Sequence, residues 1–154
     1  MKTRESYLRR ATKILRQEYT KHGYDLPEVH VSVGFPSKRA TAKRNKCIGE
    51  CWHGEGQKGG KAHIFISPLL NAGEALETLV HEHGHAILPA GVGHKAPFKR
   101  FMDAVGLEGK PTATTAGKAL RARLAKLDKT LGGYPHDTLN VNAGKKKQTT
   151  RLVK

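Results

Sequence analysis

Thr78-Leu79-Val80-His81-Glu82-His83-Gly84-His85-Ala86-Ile87-Leu88 carries the pattern His-Glu-x-x-His, with His81 and His85 four residues apart and Glu82 beside the first. On a helix, residues at i and i+4 share a face, so both imidazoles can address one cation. Zinc suits neutral imidazole nitrogen, and a catalytic zinc site takes three protein ligands and leaves a fourth position to water. The Glu82 carboxylate is placed to take a proton from that water. The flanks support a helix. Ala75, Leu76, Leu79, Val80, Ala86, Ile87 and Leu88 recur at helical spacing. Asn71 with Glu74 reads as an N-cap and its capping-box partner, and Pro89 closes the other end, which predicts a helix over about 72–88. The competing reading is a buried helix with incidental histidines. It must bury three histidines and a glutamate without a partner such as a metal, which is costly. His83, at i+2 from His81, points away from the shared face and is left out of the site.

Downstream, His94 is preceded by Gly93 and stands before a short helix whose apolar residues are Phe98, Phe101, Met102 and Val105. It is a candidate third ligand; the alternative is an exposed loop histidine. Upstream, residues 3–22 form an amphipathic helix with Tyr7, Leu8, Ala11, Ile14, Leu15 and Tyr19 on its apolar face and Gly23 after its end. Val29–Val33 alternates as a strand, with its valines on one face. Residues 37–46 are a basic loop in which Lys38, Arg39, Lys43 and Arg44 concentrate charge suited to phosphate. Residues 47–52 read as a second strand with Cys47 and Cys51 on one face. These two are read as small buried residues, because zinc would need two further ligands at compatible spacing. Residues 53–61 form a Gly-rich turn or loop without the P-loop pattern, and residues 62–67 a third strand, on which His63 is read as structural.

This succession, and in particular His81-Glu82-x-x-His85 followed after a loop by Gly93-His94-x-x-x-Phe98, resembles the SprT family, which includes the Spartan proteases. The resemblance covers roughly residues 1–106. It implies an α+β, compact zincin-like domain with an N-terminal helix, a small three-stranded sheet, the metal helix and following helices. It also implies that His81, His85 and His94 bind one zinc ion per chain and that Glu82 is general base and acid of a metallopeptidase. The implied substrates are DNA-associated proteins, including proteins crosslinked to DNA. The Gly-rich loop and strand 62–67 are expected to line the cleft, with the strand's edge pairing an extended substrate.

Residues 112–131 predict a helix capped by Thr112 or Thr114, with Ala119, Leu120, Leu124, Leu127 and Leu131 as its apolar stripe. Tyr134 and His136, in the turn that follows, are candidates for stabilising an oxyanion, although turn residues alone explain them. The expected organisation is a metallopeptidase domain over 1–134 and a basic segment over 135–154, in which Lys145, Lys146 and Lys147 are further phosphate candidates and a strand is possible after Thr149. Many SprT-family chains continue from such a segment into a Cys-rich zinc ribbon, and this sequence contains none. Either the sequence is part of a longer chain or this member lacks the ribbon, so the resemblance does not by itself imply DNA targeting through a second zinc module.

Composition bounds the remaining readings. A chain of 154 residues fits one domain with a modest core. The formal charge of +15 favours a polyanionic partner such as nucleic acid over a merely basic solvated surface, and the resemblance implies DNA. No apolar run approaches a membrane span, and two cysteines imply no disulfide framework. A cytoplasmic, DNA-associated monomer is expected. The alternative function is a non-catalytic nucleic-acid-binding module whose structural zinc takes a fourth ligand from His136 or His63.

Overall fold

The computed structural model describes residues 2–44, 46–56 and 59–136. The basic segment beyond 136, with Lys145, Lys146, Lys147 and the strand expected after Thr149, lies outside the described residues. The chain is α+β: among the described residues there are four α-helices, a three-stranded mixed sheet and a two-stranded hairpin. No helix among the described residues is long and apolar enough to cross a membrane.

Helix α1 spans Arg4–Lys21 and starts at a capping box made by Thr3 and Ser6. Its buried side is Tyr7, Leu8, Ala11, Thr12, Leu15 and Tyr19. Ile14, expected on that side, is 38 % exposed, and Thr12 is buried in its stead because its hydroxyl finds partners inside. Strand β1, Val29–Val33, pairs in parallel with β3, Ala62–Ile66, and β2, Gly49–Trp52, pairs antiparallel with the other side of β3. Strand β3 is thus central, and both of its edges are consumed. The expected role for its edge in pairing a substrate does not hold; the edge strand on the relevant side is β2. Period-two alternation turns Val31, Ile64 and Ile66 into the core.

Helix α2 covers Ala72–Ile87, and both halves of the Asn71–Glu74 capping box form, Asn71 Oδ1 accepting from the Glu74 amide and Glu74 Oε1 from the Asn71 amide. Ala75, Leu76, Leu79 and Val80 are fully buried. Helix α3, Ala96–Val105, has Pro97 in its first turn and ends at Gly106, whose φ of 94° is left-handed. It crosses α2 at Gly84. A Cβ placed on Gly84 would lie 2.7 Å from Phe101 Cδ2 and 2.9 Å from Phe98 Cε1, so the two helices meet through the missing side chain.

The largest departure from expectation follows α3. Residues 112–116 do not begin a helix. Leu107–Lys110 (β4) and Ala113–Ala116 (β5) form an antiparallel hairpin, and α4 covers only Lys118–Leu131, with Gly117 as its N-cap in place of Thr112 or Thr114. Pro111 and Thr112 make the two-residue turn between Lys110 and Ala113, which pair. Alternating β-branched threonines suit a pleated surface, and that preference prevails over their capping chemistry here. Leu120, Leu124, Leu127 and Leu131 are buried as expected, whereas Ala119 is exposed. Tyr7 Oη donates to Asp128 Oδ1 at 2.6 Å and joins α1 to α4.

Gly84→Ala provides the test of the α2–α3 contact. Helical propensity alone would favour alanine by about 1 kcal/mol. The clash with two buried rings reverses the sign, and chemical denaturation is expected to register a net loss of about 1–3 kcal/mol.

Candidate metal centre

Three histidine side chains converge above one face of α2. The Nε2 atom of His85 lies 3.2 Å from Nε2 of His81 and 3.1 Å from Nε2 of His94, and the ligand atoms of all three fall within 4.8 Å of one another. A metal with bonds of about 2.0–2.1 Å and tetrahedral angles puts neighbouring ligand nitrogens roughly 3.3 Å apart. The separations from His85 match that spacing, and the three side chains lie close enough to hold a single metal ion.

Each histidine is delivered by a separate local device. His81 and His85 come from successive turns of α2. His94 is brought back by a single 3-10 turn at Ala90–Val92 and by Gly93, whose φ of 55° and ψ of −127° are conformations glycine alone adopts readily. Phe98, fully buried, forms the floor: its ring stacks on His85 at 4.5 Å and an interplanar angle of 14°, and it meets His81 at 4.9 Å and His94 at 5.3 Å. The hairpin supplies the orienting contact. Thr114 Oγ1 lies 2.7 Å from His81 Nδ1. With Nδ1–H donating to Thr114, Nε2 presents its lone pair to the metal position. The hairpin is in turn held by Glu77, one helical turn before His81, whose Oε2 accepts from the Ala116 amide at 3.2 Å.

Electrostatics favour metal binding over protonation. Burial, reinforced by His94, holds His81 down to about 4; burial, with His81, His94 and His53 adding to it, holds His85 down to about 3. Burial also lowers His94. All three rings are neutral near pH 7, the state a metal ligand requires. Glu82 is only 6 % exposed, and burial, helped by the charge of Glu50, pushes its carboxyl up to about 8. It faces β2 at close range: a Cβ on Gly49 would stand 2.5 Å from Thr78 Cγ2 and 2.8 Å from Glu82 Oε2. Gly49 is therefore a glycine for want of space.

The site opens into a cleft of about 530 Å³. One wall is Lys46–Gly49 and Cys51, the floor is α2, and the far wall is Thr112–Thr115; His53 lies at the rim. The three histidines and Glu82 are thus gathered in one place. Other candidates are not. Tyr134 and His136 are not among the cleft residues: Tyr134 packs edge-on against Tyr7 at 4.9 Å beneath the Arg4 guanidinium, because the Pro135 carbonyl is held by Arg4 Nε. His63 lies on the outer face of the sheet and stacks on Phe65, so neither it nor His136 belongs to the converging group. Strand β3 and, among the described residues, the Gly-rich loop other than His53 are not part of the cleft lining. Lys38, Arg39, Lys43 and Arg44 are exposed, and Arg39 Nη2 donates to the Arg44 carbonyl at 2.7 Å, which folds the loop on itself. Cys47 and Cys51 are half-buried, and burial pushes the Cys51 thiol up to about 12.

Sequence reasoning missed Thr114, Gly49 and His53. The Gly109–Pro111 punctuation followed by alternating threonines was the available sign of a hairpin. Nothing local marks its proximity to His81.

Comparison with protein-family models, with curated proteins and with solved structures found no match to this chain.

Two variants test the centre by metal content and affinity. His94→Ala is expected to lose most of the metal that the wild type retains at one ion per chain. Thr114→Val keeps shape and removes the hydrogen bond, and is expected to weaken metal affinity roughly 10–100-fold with little change in fold.

Proposed function

We propose that this chain is a zinc-dependent metallopeptidase of the SprT-like type, with a zincin-like arrangement of sheet and metal helix, acting on proteins associated with or crosslinked to DNA. The observation that carries the reading is the convergence of three neutral imidazole Nε2 atoms beside a buried carboxylate in an open cleft. A structural zinc site is normally closed by four protein ligands. Among the described residues no fourth His, Cys, Asp or Glu joins His81, His85 and His94, which favours a position left for water and substrate.

Zinc, when bound there, supplies Lewis acidity toward a carbonyl and acidifies a coordinated water. The chain's own residues do the rest. Glu82 takes the proton from the attacking water and returns it to the departing amine, and its burial between α2 and β2 matches a base that must hold a proton between two steps. His81, oriented by Thr114, and His85, stacked on Phe98, keep the donor geometry fixed through the cycle. The free edge of β2 borders the cleft and offers backbone pairing to an extended polypeptide. The net charge of +15, with the exposed cations of residues 38–44, supports attraction to DNA and hence to proteins held on it.

The competing reading, a nucleic-acid-binding module with a structural metal, makes a different prediction for Glu82→Gln. As a peptidase, the variant keeps its zinc and loses about 10²–10⁴-fold in cleavage of a DNA-bound protein. Wild-type protein with full zinc and no cleavage above that variant would favour the binding module.

A further inference from the structure

The sheet's second face is built for a different contact. The register sets His30 opposite His63 and His63 opposite Trp52, so one aromatic row crosses all three strands on the side away from Val31 and Ile64. Phe65 sits beside this row and stacks flat on His63, with ring centroids 4.6 Å apart and an interplanar angle of 7°. The row is open: Trp52 is 45 % exposed, His30 is exposed, and His63 and Phe65 are partly so.

The basic loop starts against the same face. Glu50, the outward neighbour of Trp52 on β2, accepts from Trp52 Nε1 at 2.8 Å and from the Ser37 amide and hydroxyl at 3.2 and 2.5 Å. One carboxylate thereby fixes the indole and the start of the loop that carries the exposed Lys38, Lys43 and Arg44. These internal donors take most of its acceptor capacity. Open aromatic rings joined through Glu50 to the start of a basic loop offer the two things a single strand requires, a stacking surface for its bases and positive charge for its phosphates. A duplex keeps its bases stacked internally and has no use for such rings.

We propose that the outer face of the three-stranded sheet binds single-stranded DNA, with bases stacking on Trp52 and the His63–Phe65 pair and phosphates on the cations of residues 38–44. The stacking surface follows from the sheet alone; the choice of DNA over RNA rests on the proposed function. Strand β2 would then separate DNA on one face from the proteolytic cleft on the other, since Gly49 and Cys51 line the cleft while Glu50 and Trp52 face outward.

Trp52 is the sole tryptophan, so its fluorescence reports on this surface directly. Titration of the full zinc-loaded chain with oligo-dT is expected to quench it saturably, with affinity falling as salt rises. With labelled oligo-dT read by anisotropy, Trp52→Ala is expected to weaken binding roughly tenfold, Trp52→Phe to restore most of it, and Lys43→Glu with Arg44→Glu to reduce the salt slope. Binding without quenching, equal affinity for duplex, unchanged affinity in Trp52→Ala, or quenching by oligo-rU alone or by unfolded polypeptide alone would each overturn the proposal. Glu82→Gln separates the two readings, because it removes cleavage and leaves quenching intact. Absent quenching with cleavage retained counts against the platform, and quenching with no cleavage in wild type counts against the peptidase.

Discussion

The approach of α3 to α2 at Gly84 governs the geometry of the histidine cluster, because each element of the third ligand's position follows from it. With no side chain at residue 84, the Phe98 and Phe101 rings lie directly on the α2 backbone. That contact sets the height of α3 against α2, and His94, two residues before α3, inherits it. Phe98 then serves the core and the site with one ring, buried against Gly84 on one side and stacked under His85 on the other. A methyl at residue 84 would lift the ring and separate the three nitrogens together. Packing and metal geometry are here one constraint.

Helix α2 carries four polar side chains between His81 and His85 in a largely apolar element, and it resolves the cost of burying them in three ways. His81 and His85 turn to the cleft. Glu82 faces β2 at the cleft's edge. His83, fully buried, is satisfied through α1: Thr12 Oγ1 donates to the Leu8 carbonyl at 2.8 Å and so accepts from His83 Nε2 at 3.1 Å, and Tyr19 Oη donates to Nδ1 at 2.6 Å. Burial, with Arg16 adding to it, holds His83 down to about 3, and the ring stays neutral. The imidazole closest in sequence to His81 and His85 is thus a polar tie between two helices, and its removal would leave the Tyr19 phenol unpaired in the core, while Thr12 keeps its bond to the Leu8 carbonyl.

How much of this was legible in the sequence depends on the range of the forces involved. Helix α2 was readable to within a residue, because its caps, apolar period and ligand spacing are all local chemistry between Asn71 and Pro89. The separation of His83 from His81 and His85 followed from helical angle alone, but its partners on α1 did not, since they lie 64 and 71 residues away. The sheet order was equally hidden. Residues 62–67 read as a strand, yet nothing within them says that β1 and β2 take both edges, and the expected substrate-pairing role fell for that reason. The hairpin at 107–116 was missed because a Thr-rich stretch before a helical pattern satisfies the rules for an N-cap as well as those for a strand. The deciding contacts, Glu77 to the Ala116 amide and Thr114 to His81, are tertiary. His94 joined the site through its resemblance-bearing context, Gly93-His94-x-x-x-Phe98, and not through spacing, which fits a loop histidine equally well.

The position of Glu82 brings these strands of argument together. An isolated carboxylate between α2 and β2 resists ionisation, and Glu50 on the adjacent strand resists it further. A divalent cation held by the three neighbouring imidazoles is the largest local charge the site can acquire, and it favours the carboxylate form of any acid beside it. The same burial that keeps the imidazoles neutral therefore makes Glu82 responsive to the metal. Gly49 sustains that coupling: with no side chain there, β2 closes over Glu82 and keeps water from solvating it freely. The alternation of β2 then carries Glu50 and Trp52 to the opposite side, so a four-residue strand forms the boundary between the metal cleft and the aromatic face.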